Sequence, residues 1–190
     1  MTTRLHLICT AATEATSAIA FAANESIDAR GRASIARLGD WLPSHDIALR
    51  SPARCAAETA EALTLQARLE PALRDCDFGH WTGRSLAEVQ AETPEAVREW
   101  LQDAHAAPHG GESFMDLMTR VGGWMQNMLA FEGSVLAITH ALIMRAAIAH
   151  AIGVGPELFR HIDVAPLTRV RLSGMGGRWT LAALVPLKDS

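Results

Sequence analysis

Short apolar segments alternate with longer amphipathic ones along this chain. Residues 4–9 are mostly apolar, and residues 46–50 and 134–139 have the same character, which is typical of short buried strands. Each segment is followed by a stretch with helical spacing of its apolar residues. This repeated order of strand, turn and helix predicts an α/β fold, a three-layer sandwich in which a mainly parallel sheet has helices on both faces.

The most regular periodicity lies in the second half of the chain. Seven apolar residues recur there at steps of one, three and four: Phe114, Leu117, Met118, Val121, Trp124, Met125 and Met128. They predict one long amphipathic helix, opened by Ser113 as its N-cap with Asp116 three residues later. We interpret the Met and Trp side chains as core packing and not as contacts to a cofactor.

Local signals predict further boundaries. Ser51 followed by Pro52 is typical of a helix N-cap and first turn. Residues 84–103 predict two short helices broken at Pro94, and residues 163–185 predict two strands around a turn at residues 174–177. Because there is no internal repeat or linker, residues 1–190 are expected to form a single domain.

Composition argues against several classes of partner. The formal net charge is -4 and no run of like charges occurs, so we expect no partner nucleic acid or anionic membrane surface. No apolar run approaches the roughly 20 residues that span a bilayer, and a signal-peptide core is missing, so a cytoplasmic location is expected. A homo-oligomer stays open, because periodicity alone does not separate an apolar interface from core.

Segments that follow the predicted strands resemble motifs of the histidine phosphatase (phosphoglycerate mutase-like) superfamily. Residues 5–13 read LHLICTAAT, where that family has Leu-x-Leu-(Val/Ile)-Arg-His-Gly-x-Thr, and residues 51–60 read SPARCAAETA, where it has Ser-Pro-Leu-x-Arg-Ala-x-Gln-Thr-Ala. Three more segments resemble family motifs in the same order: DFGHWTG at 77–83, GGES at 110–113 and VLAITHALIMR at 135–145. The resemblance, to the small bacterial α-ribazole phosphatase-like branch, implies the phosphoglycerate mutase-like fold.

The resemblance also implies which positions form the site. In that family a first histidine attacks phosphorus, two arginines and a second histidine hold the phosphate oxygens, and a carboxylic acid protonates the leaving group. The matching residues of this chain are Thr10 for the nucleophile, Cys9 and Cys55 for the arginines, His140 for the second histidine and Asp75 for the acid. Glu112, in the GGES segment, is expected at the edge of the pocket.

These replacements remove the groups that carry the family reaction. Cysteine supplies neither the charge nor the bidentate hydrogen bonds of a guanidinium, and losing one oxyanion donor alone typically costs about 3 kcal/mol. The leading hypothesis is therefore a degenerate homologue, to which we assign no catalytic residue and no cofactor. It would be a binding or regulatory protein, or act on an unidentified small-molecule ligand. Its predicted ligand-binding residues are Cys9, Thr10, Cys55, Asp75, Glu112 and His140.

Two alternatives stay open. A phosphohydrolase of the α-ribazole phosphatase kind could use Thr10 as nucleophile with His140 as base, or water activated by His140. Cys9, Cys55 and Cys76 with His140 could instead form a metal or redox site, since thiolates and imidazole suit zinc or copper(I). Separate thiols are favoured over that site, so no metal is assigned.

Other side chains near the predicted site are expected to contribute less to ligand binding than the six residues named above. Arg54 should point away from the position of Cys55, because successive helical residues differ by about 100°. His150 is interpreted as a packed helix residue, and His80 and His109 as exposed loop residues.

Overall fold

A computed structural model describes residues 2–38 and 42–185 of the chain. Its strands are β1 (Thr3–Cys9), β2 (Ile47–Arg50), β3 (Arg68–Leu69), β4 (Gly133–Thr139), β5 (Arg169–Met175) and β6 (Arg178–Val185). Its α-helices are α1 (Glu14–Ala18), α2 (Ala29–Ala36), α3 (Arg54–Ala62), α4 (Leu86–Glu92), α5 (Pro94–Gln102), α6 (Phe114–Met128) and α7 (Ala141–Ile152). Short 3-10 turns lie at Pro71–Leu73, Gly79–Trp81 and Pro156–His161.

The strands of the described residues form one sheet in the order β3-β2-β4-β1-β5-β6. The first four of these are parallel neighbours, whereas β5 runs antiparallel to β1 and β6 antiparallel to β5. β1 and β4 pair in register from Thr3 with Gly133 to Cys9 with Thr139, so both strands end at the same level. The predicted mainly parallel sheet is confirmed, with an antiparallel hairpin added at one edge.

Helices cover both faces because side chains of the central strands alternate between two apolar clusters. Leu5 and Leu7 of β1 pack in the larger cluster, which includes buried residues of α6 and α7. Ile8 faces the other way and packs with Ala56 and Ala60 of α3. This alternation is the period-two geometry of a strand buried on both sides. The predicted three-layer sandwich is confirmed.

Helix α6 begins where the sequence predicts. Ser113 Oγ accepts the N–H of Asp116, and the Asp116 carboxylate accepts the N–H and hydroxyl of Ser113, which forms a capping box. Five members of the predicted stripe are buried: Phe114, Leu117, Val121, Trp124 and Met125. Met118 and Met128 are partly buried against the same cluster. The stripe is therefore core packing, as predicted.

The two helices broken at Pro94 are confirmed as α4 and α5, but two other boundaries differ from prediction. Helix α3 has Ala53, not Ser51, as its N-cap, because the Ser51 N–H still donates to Ile138 of the sheet at 2.9 Å. The strand expected from residue 163 begins at Arg169, because a turn with Leu167 at a φ of 60° precedes it. Within the described residues, every helix is too short or too polar to cross a membrane.

The loop ahead of α6 depends on a close backbone approach at Gly111. A Cβ atom built on Gly111 would overlap the backbone carbonyl oxygen of Asp77. The same oxygen accepts the N–H of Glu112 at 2.7 Å, which holds the two loops together. Gly79 lies equally close to the backbone of His109 and has a φ of +49°. Only glycine fits these two positions without moving the backbone.

The change Gly111→Ala is expected to destabilise the fold by about 2 kcal/mol or more, because the new methyl group must displace backbone. Thermal unfolding should show a melting temperature lower by about 5 °C for a chain of this size. The matched control is Gly123→Ala in α6, where a Cβ meets nothing within 4 Å, and this change should stabilise the helix by up to about 1 kcal/mol. Equal melting temperatures for Gly111→Ala and the unmodified protein would contradict the close approach.

Candidate functional site

A pocket of about 210 Å³ lies beyond the carboxyl ends of the parallel strands. Its lining includes Cys9 and Thr10 after β1, Cys55 in the first turn of α3, Asp75 in the loop that follows β3, and His140 after β4. Ligand sites of parallel α/β sheets lie at this end of the strands. The structure therefore brings five of the six predicted site residues to one cavity.

The sixth predicted residue, Glu112, does not line this pocket. Its buried carboxylate accepts hydrogen bonds from Arg120 Nε at 2.8 Å and Arg120 Nη2 at 2.7 Å, and from Arg74 Nη2 at 3.2 Å. Arg120 Nη1 also donates to the carbonyl oxygen of Ala72 at 2.6 Å. Glu112 ties the start of α6 to the loop at residues 72–74, so the structure corrects its predicted place at the pocket edge.

The cysteines at the two arginine positions are buried, neutral thiols. Cys9 is 4% exposed and Cys55 is 6% exposed. Burial, followed by the nearby Asp75 carboxylate, raises the pKa of each thiol to about 12, and a hydrogen bond with Thr10 opposes that shift. Thiols with so high a pKa stay protonated at neutral pH. These positions therefore supply no positive charge and, at neutral pH, only a trace of thiolate.

The imidazole of His140 faces a polar partner at each ring nitrogen. Nε2 lies 2.8 Å from Ser51 Oγ, and Nδ1 lies 3.4 Å from Asp75 Oδ2. Ser51 Oγ also accepts the N–H of Ala53 at 3.2 Å. In the neutral tautomer that matches these contacts, Nδ1 carries the proton toward the carboxylate and the Ser51 hydroxyl donates to Nε2.

Ser51, His140 and Asp75 thus follow the order of a serine hydrolase triad, but Ser51 is not accessible. In a triad the serine oxygen must reach a substrate carbonyl. Ser51 is fully buried and does not line the pocket. Its hydroxyl orients the His140 ring, a role that the sequence analysis missed because it assigned Ser51 to the N-cap of α3.

Thr10 and His140 line the same pocket without pairing. Among the described residues no hydrogen bond joins them, and both nitrogens of His140 face other groups. Thr10 is buried, and its side chain acts on the nearby thiols of Cys9 and Cys55, lowering the pKa of each against the larger effect of burial. A threonine nucleophile needs a base within hydrogen-bond reach, and this arrangement lacks that contact.

Two arginines near the pocket, Arg54 and Arg145, do not belong to its lining. Arg54 donates from Nε to Glu58 at 3.1 Å on the protein surface, so it points away as expected from helical geometry. Arg145 of α7 lowers the pKa of Cys9, but less than Asp75 raises it, and Arg145 does not line the pocket. Neither of these two arginines therefore supplies a guanidinium to the pocket lining.

The carboxylates of the pocket are Asp75 and Glu25, and none of its described lining residues is Lys or Arg. Glu25 lies in the loop between α1 and α2. Its Oε1 accepts the hydroxyl of Thr13 at 3.0 Å, and its Oε2 accepts the N–H of Ala23 at 2.8 Å. Glu25 was not predicted from the sequence, because no motif marks this loop.

The alternative of a cysteine-based metal site gains no support from the geometry. Cys76 lies outside the pocket lining, and its thiol contacts the carbonyl oxygen of Glu112 at 3.4 Å. All three cysteines are free thiols. Nowhere in residues 2–38 and 42–185 do three or more His, Cys, Asp or Glu side chains form a group that could hold a metal ion.

Two of the three other histidines interpreted from sequence lie as expected. His80 is exposed, and His150 packs over Gly122 of α6. His109 was expected to be exposed but is fully buried, with its ring centroid 5.0 Å from that of Trp81. Burial lowers the pKa of His109, and its Nδ1 accepts the N–H of Gly111 at 3.1 Å. It belongs to an aromatic cluster and not to the pocket.

Comparison with known sequences identifies the family. Residues 5–185 match the profile of the histidine phosphatase superfamily, branch 1. The chain belongs to the histidine phosphatase superfamily. A bifunctional protein of Mycobacterium tuberculosis is 37% identical over 117 residues, which cover 60% of this chain and 32% of that protein. Phosphoserine phosphatase 1 of Hydrogenobacter thermophilus is 31% identical over 107 residues, covering 55% and 51%. The chain thus spans about a third to a half of these curated relatives.

Solved structures of the superfamily share the whole fold. The α-ribazole phosphatase of Shigella flexneri superposes with a TM-score of 0.83 at 24% identity, over 98% of both chains. A mycobacterial glucosyl-3-phosphoglycerate phosphatase complexed with VO3 superposes with a TM-score of 0.81 at 25% identity, over 98% of this chain and 99% of that one. The predicted phosphoglycerate mutase-like fold is confirmed.

Proposed function

We propose that this chain is a degenerate histidine phosphatase, a pseudoenzyme that binds a ligand in the family pocket without transferring a phosphoryl group. The observation that carries this proposal is the charge of the lining. Where the family motifs have a histidine and two arginines, the pocket has Thr10, Cys9 and Cys55, and its carboxylates are Asp75 and Glu25.

Phosphoryl transfer depends almost wholly on position and on positive charge around the phosphate oxygens. Two neutral thiols take the place of that charge in this pocket, and the carboxylates of Asp75 and Glu25 belong to the same lining. Unit charges of like sign about 4 Å apart repel by about 4 kcal/mol at an effective dielectric constant of about 20. A phosphate dianion is therefore expected to be excluded.

The alternative function, a phosphohydrolase that uses Thr10 and His140, would need an accessible and activated nucleophile, which this pocket lacks. Ser51 contacts His140 but is fully buried, and the two nitrogens of His140 face Ser51 and Asp75 instead of Thr10. The relatives' names specify phosphate esters, such as phosphoserine and glucosyl-3-phosphoglycerate. A pocket with acidic lining is poorly suited to ligands of that kind, which supports a binding or regulatory role in place of hydrolysis.

Purified protein is expected to show no hydrolysis of p-nitrophenyl phosphate above the blank, because the nucleophile and both arginines are replaced. The release of p-nitrophenol measures this directly, and the His140→Ala variant should give the same baseline. Turnover that disappears in His140→Ala would instead establish an active phosphohydrolase.

The scaffold is expected to regain anion binding when the three replaced groups are restored. The variant Cys9→Arg, Thr10→His, Cys55→Arg returns two cations and the nucleophile to the pocket, with Ala11→Gly added if the turn is crowded. Vanadate at about 100 times its Kd should then raise the melting temperature by about 5 °C.

The matched control carries Cys9→Gln, Thr10→His, Cys55→Gln, which adds long polar side chains without charge and should show no such gain. A folded arginine variant that vanadate does not stabilise would show that Cys9 and Cys55 do not occupy the arginine positions.

A further inference from the structure

The acidic lining indicates what kind of ligand the pocket accepts. We propose that it binds a small organic cation, a primary ammonium group on a short apolar body. This inference rests on the proposed loss of phosphoryl transfer and adds the chemical class of the ligand.

Asp75 has an oxygen with unused capacity to accept hydrogen bonds. Its Oδ1 accepts the N–H of Cys76 at 2.9 Å, whereas its Oδ2 has His140 Nδ1 at 3.4 Å, beyond the usual 2.7 to 3.2 Å of such a bond. A carboxylate offers about four lone-pair sites, and the Asp75 side chain is 23% exposed. An N–H donor entering the pocket can therefore reach Oδ2.

Glu25 supplies a second negative charge that no described residue neutralises. Its two hydrogen bonds come from a neutral hydroxyl and a backbone N–H, those of Thr13 and Ala23. These bonds fix the carboxylate without cancelling its charge, and none of the described ion pairs includes Glu25. The pocket therefore carries negative charge that a bound cation would neutralise.

After burial, which is the largest cause, nearby carboxylates also raise the pKa of the two thiols at the pocket floor. Asp75 raises the pKa of both Cys9 and Cys55, and Glu25 also raises that of Cys55. Arg145 opposes this at Cys9 but acts less strongly than Asp75. The carboxylates therefore dominate the field where the family motifs have guanidinium groups.

The remaining walls suit a short apolar body. Besides the two cysteines, eight apolar residues line the cavity: Ala15, Ala20, Ala22, Phe78, Ala141, Leu142, Val164 and Pro166. Hydroxyls of Thr10, Thr13 and Thr16 add oxygen atoms beside them. The volume of about 210 Å³ is below the roughly 300 to 1,000 Å³ of sites for drug-sized molecules. An organic cation fits better than a metal ion, because no described group of three ligands could hold a metal.

Three probes of equal length separate charge from shape: n-butylammonium, n-butanol and butyrate. Each is titrated into the unmodified protein at pH 8 and low salt, and chemical shifts of the backbone amides of Thr10 and His140 report binding. We expect butylammonium to bind at least tenfold more tightly than butanol, and butyrate to leave these amides unchanged. Equal affinity for butanol, or preferential binding of butyrate, would overturn the inference.

Single substitutions that neutralise one carboxylate at a time test which of them contacts the ammonium group. Asp75→Asn keeps an oxygen for the Cys76 N–H, so it and Glu25→Gln are expected to fold and to weaken butylammonium about tenfold, without affecting butanol. The control Glu95→Gln removes the same charge from a side chain that is 77% exposed, and should have no effect. Unchanged affinity in both pocket variants would refute the inference.

The two proposals fail in distinguishable ways. Absence of p-nitrophenyl phosphate hydrolysis together with equal binding of all three probes would overturn the cation site and leave the degenerate phosphatase intact. Hydrolysis that is lost in His140→Ala would overturn the degenerate phosphatase itself.

Discussion

The site depends on the parallel register of β1, β4 and β2. That pairing continues one residue past the strands, because the N–H of Thr10 donates to Thr139 at 2.8 Å and the N–H of Ser51 donates to Ile138 at 2.9 Å. These backbone bonds bring the three strand ends to one level, and they do not depend on which side chains the ends carry. The pocket can therefore keep its shape while its chemistry changes.

Electrostatics in the pocket are determined by few side chains. Cys9 and Cys55 are small and neutral, so the carboxylate of Asp75 has no guanidinium beside it in the described lining, and after burial it is the largest cause that raises the pKa of both thiols. Where a family arginine would neutralise an incoming phosphate, we expect this pocket to repel anions. The proposed loss of phosphoryl transfer and the proposed preference for a cation thus rest on the same replacements.

Features set by local periodicity or by strand ends could be predicted from sequence. The alternation along β1, the stripe of α6 and the convergence of Cys9, Cys55, Asp75 and His140 are of this kind. Features set by loop geometry could not. Glu112 pairs with Arg74, His109 enters an aromatic cluster, and Glu25 reaches the pocket from an unmarked loop, all through contacts between separate segments.

The sign of the potential inside the pocket can be measured at Cys55. Methanethiosulfonates carrying an ethyltrimethylammonium or an ethylsulfonate group convert a thiol to a mixed disulfide and release methanesulfinate. The reaction rate of each reagent at Cys55 is followed by peptide mass spectrometry. The ratio of the cationic to the anionic rate in the folded protein is then divided by the same ratio in the unfolded protein. An acidic pocket predicts that the cationic reagent is favoured about tenfold and that Asp75→Asn reduces this preference. Faster reaction of the anionic reagent would contradict an acidic pocket and restore the case for a phosphate site.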